Sequence, residues 1–210
     1  MESWAEKYRP ESLSDIIGNT KVINDLKTWA KSWGDKMVKK GVILSGPPGC
    51  GKTSAAIALA NDMEWEVIEL NASDARSGAV IEGTALRAGL FQTFGSKGLA
   101  DRNLILLDEA DNLYERARQS KNKTKNYSDR GGKRAITKTL EQTRQPVIIT
   151  VNDLYNLTKG TGSKIKRLCL NLKFQRPSVI SIATVLQNIC EKEGLEISNE
   201  SIRSMAENVK

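Results

Sequence analysis

The segment GPPGCGKT, residues 46–53, constrains the fold of this chain more than any other feature. It directly follows the apolar run VILS and directly precedes SAAIALA, a sequence of high helix propensity. Glycines let such a loop curl so that successive N–H groups face phosphate oxygens, and the N-terminus of the next helix adds positive potential. A glycine-rich turn without a ligand is the weaker interpretation. The pattern in this strand–loop–helix context predicts a phosphate-binding loop.

Two side chains of this loop have predicted roles in the chemistry. Lys52 is expected to reach the β and γ phosphates, and the Thr53 hydroxyl is expected to bind a magnesium ion. The predicted nucleotide-binding residues of the loop are Gly46, Pro47, Pro48, Gly49, Cys50, Gly51, Lys52, Thr53 and Ser54.

The chain as a whole alternates short apolar runs with helical patterns, which predicts an α/β fold with a parallel sheet flanked by helices. The predicted strands are residues 42–45, 66–70, 104–107, 147–151 and 169–174. A helix with a buried face is predicted from an apolar stripe at helical spacing. That stripe consists of Val22, Leu26, Trp29, Ala30 and Trp33.

A pair of acids follows the strand 104–107, at the edge where an open parallel sheet binds its ligands. Asp108 is expected to position the magnesium ion through water, and Glu109 to orient and polarise the attacking water. A solvated acid pair is the alternative, and the neighbouring phosphate loop argues against it. The letters DEAD also occur in RNA helicases, but those enzymes need two RecA-like lobes and this chain has room for one.

Asn152 ends the strand 147–151 and resembles the polar sensor that AAA+ ATPases place between the γ-phosphate and the attacking water. An asparagine at a strand end is by itself usually a turn former. With Lys52 and Glu109 as the other catalytic residues, it predicts a magnesium-dependent ATP hydrolysis site of the AAA+ type.

Composition excludes several other kinds of site. The 210 residues contain no histidine and three widely separated cysteines, so Ser-His triads and the usual zinc sites are ruled out. No run of eighteen apolar residues occurs and the N-terminus lacks a secretory signal, so we expect a reducing interior and no membrane partner. The net charge of +7 suits a polyanionic partner but is also common in other soluble proteins.

Longer segments resemble the clamp-loader subunits of the AAA+ superfamily. KYRPESLSDIIG (residues 7–18) is similar to the N-terminal box of those subunits, which wraps the adenine. The resemblance therefore implies nucleotide contacts by Tyr8, Arg9, Pro10, Ile17 and Gly18. ELNASDARSG (69–78), DRGG (129–132), WAKSW (29–33) and CLNLKFQRP (169–177) look like the large subunits of replication factor C, the archaeal and eukaryotic clamp loader.

This resemblance covers essentially the whole chain and implies a function. ATP binding and hydrolysis would open a ring-shaped sliding clamp of the PCNA type and place it on primer–template DNA during replication. The implied partners are the small subunits of a hetero-pentamer, the clamp and the DNA. The implied location is the archaeal cytoplasm at the nucleoid, which the short N-terminus favours, or the nucleus of a eukaryote.

One segment distinguishes large from small clamp-loader subunits. Small subunits carry Ser-Arg-Cys before the last strand, and their arginine reaches a neighbour's ATP site. Here the matching residues are Arg167, Leu168 and Cys169, so a leucine that cannot stabilise transferring phosphate occupies the finger position. A recombination-type AAA+ helicase or remodeller is one alternative. A scaffold subunit that binds nucleotide without turnover is another.

The pattern changes after Phe174, which predicts a nucleotide-binding domain over residues 1–174 and the beginning of a helical lid domain over 175–210. Ser178 and Ser198 are predicted N-caps of two helices, and Gly194 is predicted to end the first. The second helix reaches Lys210 without a C-cap, so the lid is expected to be incomplete within this sequence.

A basic tract joins the acidic strand to DRGG, because residues 115–134 contain eight Lys or Arg against two acids. One interpretation is a solvated surface loop. The other places the tract against duplex DNA phosphates inside the clamp-loader spiral. Its predicted DNA contacts are Arg130, Lys133 and Arg134, together with Lys121, Lys123 and Lys125.

Overall fold

The structure, a computed structural model, describes residues 3–33, 39–71, 102–111 and 129–208. Its strands are β1 (Gly41–Ser45), β2 (Glu66–Asn71), β3 (Asn103–Asp108), β4 (Val147–Val151) and β5 (Cys169–Lys173). Its helices are α1 (Trp4–Lys7), α2 (Thr20–Lys31), α3 (Lys52–Asp62), α4 (Asp129–Gln142), α5 (Leu154–Thr158), α6 (Ser163–Leu168), α7 (Val179–Lys192) and α8 (Asn199–Asn208). Short 3₁₀ turns lie at Leu13–Asp15 and Gly160–Gly162.

The strands form one parallel sheet in the order β2-β3-β4-β1-β5. Every residue of β1 and β4 is buried, as expected of parallel strands covered by helices on both faces. The predicted α/β fold is therefore confirmed, and each predicted strand ends within one residue of an observed strand.

The two faces of the sheet bury two separate apolar cores. Along β1 the side chains of Val42 and Leu44 join the core that contains α2 and α3, while Ile43 joins the core that contains α4 and α6. This alternation is the period of two that a pleated strand imposes. Because both faces are packed, the loop after β1 is held at a rigid edge of the sheet.

The buried stripe of α2 differs from the predicted one at two positions. Ile23 rather than Val22 joins Leu26, Trp29 and Ala30 in the core. The helix also ends at Lys31, so Trp33 lies beyond it and only packs against the core as a half-buried residue.

The predicted caps of the last two helices are confirmed. The Ser178 hydroxyl accepts the N–H of Ser181 at 3.1 Å, and the Ser198 hydroxyl accepts that of Ser201 at 3.2 Å. Gly194 follows α7 in the left-handed region at φ +66°, where glycine is the favoured residue.

None of the helices in the described ranges has the length and apolar content needed to cross a membrane.

Candidate nucleotide-binding and hydrolysis site

The loop between β1 and α3 has the backbone that a phosphate-binding loop requires. Gly49 and Gly51 lie in the left-handed region at φ +72° and +92°, which costs other residues more than glycine. Gly46 has φ +154°, and a Cβ there would lie 2.5 Å from the carbonyl oxygen of Phe174 in the strand connection alongside. The glycines of GPPGCGKT are thus explained by local geometry and by close packing against the end of β5.

Lys52 lies at the centre of the site and is only 7% exposed. Its ammonium donates to the carbonyl oxygens of Gly46 and Pro47, both at 2.8 Å, and to Oδ1 of Asn152 at 2.9 Å. An ammonium has three donors, so this buried charge is fully hydrogen-bonded. The structure thereby brings together two of the predicted catalytic residues, Lys52 and Asn152, which are 100 positions apart in the sequence.

The predicted metal-binding side chains are also adjacent. The Thr53 hydroxyl donates to Oδ1 of Asp108 at 2.9 Å, and the Thr150 hydroxyl donates to the same oxygen. A hydroxyl with one carboxylate is a donor set that suits Mg²⁺, which keeps several waters and takes its other ligands from substrate phosphates. Within the described residues, no cluster of three or more acidic, cysteine or histidine side chains forms a dedicated cation cage.

Glu109 occupies an unusual backbone conformation beside these residues. Its φ is +52°, in the left-handed region that non-glycine residues seldom adopt. Its N–H donates to the Thr150 hydroxyl at 3.0 Å, and the N–H of Ala110 donates to the Thr150 carbonyl oxygen at 3.0 Å. The exposed carboxylate of Glu109 lines the same cavity as Lys52 and Asn152.

A buried acid connects the end of β3 to the end of β4. Oδ2 of Asp111 accepts the backbone N–H groups of Asn152 at 3.0 Å and Asp153 at 2.9 Å. The sequence reasoning singled out neither Asp111 nor Thr150. Two features of the sequence could have indicated them. Asp111 is the third acid of the DEAD run, and Thr150 lies two residues before Asn152, a spacing that places both side chains on the same face of an extended strand.

These residues surround a cavity of about 260 Å³ at the carboxyl edge of the sheet. It is lined by Pro48, Gly49, Gly51, Lys52, Thr53, Ser54, Asp108, Glu109, Thr150, Val151 and Asn152. Gly46 and Pro47 do not line it, and instead contribute the carbonyl oxygens that bind Lys52. Polar side chains and a glycine loop around one concave site are what a triphosphate with its metal ion requires.

A larger cavity of about 740 Å³ continues from the phosphate loop. Its walls are the N-terminal segment, the residues 49–51 of the loop, and one face of α7 that includes Ile182 and Leu186. Tyr8, Arg9, Pro10 and Ile17 line this cavity as the resemblance implied. Gly18 does not line it but lies beside α7, where a Cβ would be 3.8 Å from the Ser181 hydroxyl.

The N-terminal segment is tied to the end of α7 through one carboxylate. Oε1 of Glu193 accepts from Nζ of Lys7 and from the hydroxyl of Tyr8, both at 2.6 Å. The pKa of the Glu193 carboxyl is lowered, mainly by the hydrogen bond from Lys7 and next by the one from Tyr8. The same bonds to Glu193 raise the pKa of Lys7 and the pKa of Tyr8. These groups are near solvent, so the tie is screened and weak.

The predicted DNA contacts have different outcomes. Lys133 is 3% exposed, and its ammonium donates to the carbonyl oxygens of Asn156 and Lys159, both at 2.8 Å. The prediction that Lys133 contacts DNA is therefore wrong, because its charge is buried against the end of α5. Arg134 is exposed on α4. Lys121, Lys123, Lys125 and the side chain of Arg130 lie outside the described residues, so their DNA contacts stay predictions.

Leu168 packs against the core that contains α4, while the neighbouring Arg167 is exposed. Leu168, which the resemblance places at the position of the arginine finger, is thus a partly buried apolar side chain at the end of α6.

A family model agrees with this geometry. The model described as "ATPase family associated with various cellular activities (AAA)" matches residues 42–184, so the chain belongs to the AAA family. That match includes the phosphate loop, both acids after β3 and Asn152.

The curated relatives point to one branch of this family. The replication factor C large subunit of Methanosarcina mazei is 46% identical over 206 residues, which is 98% of this chain and 31% of the relative. That of Halorubrum lacusprofundi is 41% identical over 99% of this chain and 40% of the relative. The predicted resemblance to replication factor C large subunits is confirmed, and the chain spans about a third of the length of these relatives.

Solved structures support the fold alone. The Thermotoga maritima RuvB T158V structure has a TM-score of 0.68 at 18% identity and covers 95% of this chain and 59% of that chain. Another is described as the RuvB Holliday junction branch migration motor of the same organism, with a TM-score of 0.65 at 17% identity.

Proposed function

We propose that this chain is the ATP-binding part of a replication factor C large subunit, which uses ATP to load a sliding clamp onto primed DNA. The observation that carries the proposal is identity of 41–46% to such subunits over 97–99% of the chain. The structure adds support, because Lys52, Asp108, Glu109 and Asn152 all lie at one cavity.

In the proposed reaction, the triphosphate lies in the smaller cavity and the base and sugar in the larger one. Lys52 exchanges its bonds to the Gly46 and Pro47 carbonyl oxygens for bonds to β and γ phosphate oxygens. The Thr53 hydroxyl, and Asp108 through water, would hold the magnesium ion. Bound Mg²⁺ supplies neutralisation of the charge on the transferring phosphoryl group. Glu109 orients the attacking water, and Asn152 bridges that water and the γ-phosphate.

The proposed partners follow from the family resemblance. They are the small clamp-loader subunits, a PCNA-type clamp and primer–template DNA, in the compartment that contains the chromosome. Leu168 at the finger position supports a large subunit that completes no neighbouring site in trans. We also propose that residues 1–174 form the nucleotide-binding domain and that the α7 and α8 region belongs to a lid over the base.

The proposal is tested on the complete complex assembled from the large and small subunits. We expect ATP turnover to rise when the clamp and primed DNA are added together, and to rise little with unstructured single strands. A response to branched junctions instead would favour a recombination motor of the kind that shares this fold. Nucleotide binding without any turnover at this subunit would favour the scaffold alternative.

A further inference from the structure

We propose that Thr150 and Asp111 form a reciprocal brace between β3 and β4 that positions Glu109 and Asn152 for ATP hydrolysis. The inference deepens the proposed ATPase function and assigns positioning roles to Thr150 and Asp111, which act through their hydrogen bonds to the ends of β3 and β4. It depends on contacts among described residues at the carboxyl edge of the sheet.

The brace is located where the backbone ladder stops. β3 and β4 pair in parallel from Ile105 with Val147 to Leu107 with Ile149, and no further strand pair follows. The functional residues Asp108, Glu109 and Asn152 all lie beyond that point. Their relative positions therefore depend on the bonds made after the ladder ends.

Thr150 supplies the bonds from β4 to the end of β3. A hydroxyl has one proton and two lone pairs. In Thr150, which is 1% exposed, the proton goes to Asp108 and a lone pair accepts the N–H of Glu109. Its carbonyl oxygen accepts the N–H of Ala110 as well. Thr150 thus holds Glu109 from both sides.

The conformation of Glu109 explains why such support is needed. A glutamate with φ +52° is in a sparsely populated region, and such residues persist only where surrounding contacts fix them. The hydrogen bond from its N–H to Thr150 is one of those contacts. Without it the peptide would relax towards the common right-handed or extended regions, and the carboxylate would turn away from the attacking water.

Asp111 supplies the bonds in the opposite direction, from the end of β3 to the end of β4. It is 8% exposed, and one oxygen of its carboxylate accepts the N–H groups of both Asn152 and Asp153. Its other oxygen, Oδ1, is buried and has no hydrogen-bond partner among the described residues. Burial of an incompletely satisfied carboxylate is costly. Its two bonds place Asn152 where its Oδ1 meets Lys52.

The decisive experiment compares Thr150→Val with Thr150→Ser in the assembled complex. Valine keeps the shape and removes the hydroxyl, whereas serine keeps the hydroxyl and removes the methyl group. We expect Thr150→Val to lower kcat about tenfold or more, as for loss of a buried hydrogen bond at a reacting group. We expect ATP affinity within about twofold of wild type, and Thr150→Ser to recover most of the lost kcat.

Thr139→Val is the matched control. Thr139 is a buried threonine on α4 whose hydroxyl has no hydrogen-bond partner in the part of the chain that the structure describes, so the same substitution there should leave kcat unchanged. Equal loss of kcat in Thr150→Val and Thr150→Ser would overturn the proposal, because the methyl group rather than the hydroxyl would then matter. Recovery of Thr150→Val at high Mg²⁺ would also overturn it, since Thr150 would then act only on the metal ligand Asp108.

A double-mutant cycle with Asp111→Ala tests whether the two residues act as one unit. If they do, the combined variant loses less kcat than the product of the two single losses. Losses that multiply would show independent supports and would overturn the brace. In all these experiments, the kcat of each variant is compared with that of wild type in basal ATP turnover. The response of the wild-type complex to clamp and primed DNA tests the proposed function separately.

Discussion

The phosphate side and the base side of the candidate site are built in opposite ways. The phosphate side is formed by the loop 46–54 and the ends of β3 and β4, where Lys52 is buried and donates hydrogen bonds to three oxygen atoms. The base side is formed by the N-terminal segment and α7, which meet at the partly exposed contact of Lys7 and Tyr8 with Glu193. One side is an edge of the core, and the other is two surface segments in contact.

This difference predicts how each side responds to change. A group fixed by packed strands keeps its geometry without ligand, so removing it costs binding or catalysis directly. A wall held by solvent-exposed ion pairs contributes little by itself and depends on salt and pH. The base side should therefore tolerate substitutions that the phosphate side does not.

The largest effect is expected from Lys52→Ala. The ammonium is the only described cation at the smaller cavity, and charge-assisted hydrogen bonds contribute roughly 1.5–3 kcal/mol each. Two lost bonds to phosphate correspond to a loss of ATP affinity of about a hundredfold or more. Equilibrium binding of a fluorescent ATP analogue measures it. Lys7→Ala, the same substitution on the base side, is the control and should change affinity only a few-fold.

Glu109→Gln should separate turnover from binding. The amide keeps the shape of the side chain but cannot accept a proton or polarise water as a carboxylate does, so we expect kcat to fall roughly 10²–10⁴-fold. ATP affinity should stay near that of wild type, because the phosphate ligands are unchanged. Single-turnover hydrolysis in the complete complex, beside a binding titration, measures both. Unchanged turnover would remove Glu109 from its assigned role.

The sequence predicted that Lys52, Thr53, Asp108, Glu109 and Asn152 lie together, and the structure has all five at one cavity. Spacing within GPPGCGKT fixes where Lys52 and Thr53 point once a strand precedes and a helix follows. Thr150 and Asp111 escaped prediction because their roles depend on the β3–β4 register and on where that ladder stops. Neither the register nor the end of the ladder can be predicted from the sequence of one strand alone.

The wrong prediction for Lys133 shows that a local charge pattern also cannot reveal contacts with distant segments. Its neighbours in the basic tract look alike in sequence, and nothing in that pattern shows that the Lys133 ammonium donates to carbonyl oxygens of residues 156 and 159, more than twenty positions later. The base side was implied only by resemblance, because its two walls come from opposite ends of the chain.

The variant Glu193→Gln tests how much the contact of Lys7 and Tyr8 with Glu193 contributes to ATP binding on the base side. The pKa of the Glu193 carboxyl lies below its ordinary value of 4.5 and that of Lys7 above 10.5, so both charges are present between pH 6 and pH 9. The tie is lost as pH falls through the lowered carboxyl pKa or rises through the raised lysine pKa. We expect ATP affinity to weaken about two- to fivefold and the difference from wild type to stay flat from pH 6 to 9. A difference that changes steeply near pH 7 would contradict this assignment. Asp25→Gln, at an exposed position of α2, is the control.

The smallest effect is expected from Arg134→Gln, which tests DNA contact by α4. Arg134 is exposed on the helix that follows the basic tract, so loss of one phosphate contact should reduce the log–log salt slope of primed-DNA binding by about 0.9. Lys27→Gln removes an equally exposed charge from α2, which packs on the other face of the sheet, and should leave that slope unchanged.

Lys133→Gln separates the buried from the exposed charge of the same helix. It should leave the salt slope unchanged but lower the Tm of the complex, because two partly buried carbonyl oxygens lose their charged donor. Neither Lys133→Gln nor Arg134→Gln should change ATP affinity, because the phosphate loop is formed by other segments. If Arg134→Gln and Lys27→Gln give parallel salt titrations, α4 does not touch DNA. The charge of the tract would then serve solvation, and the DNA path would have to follow a different surface.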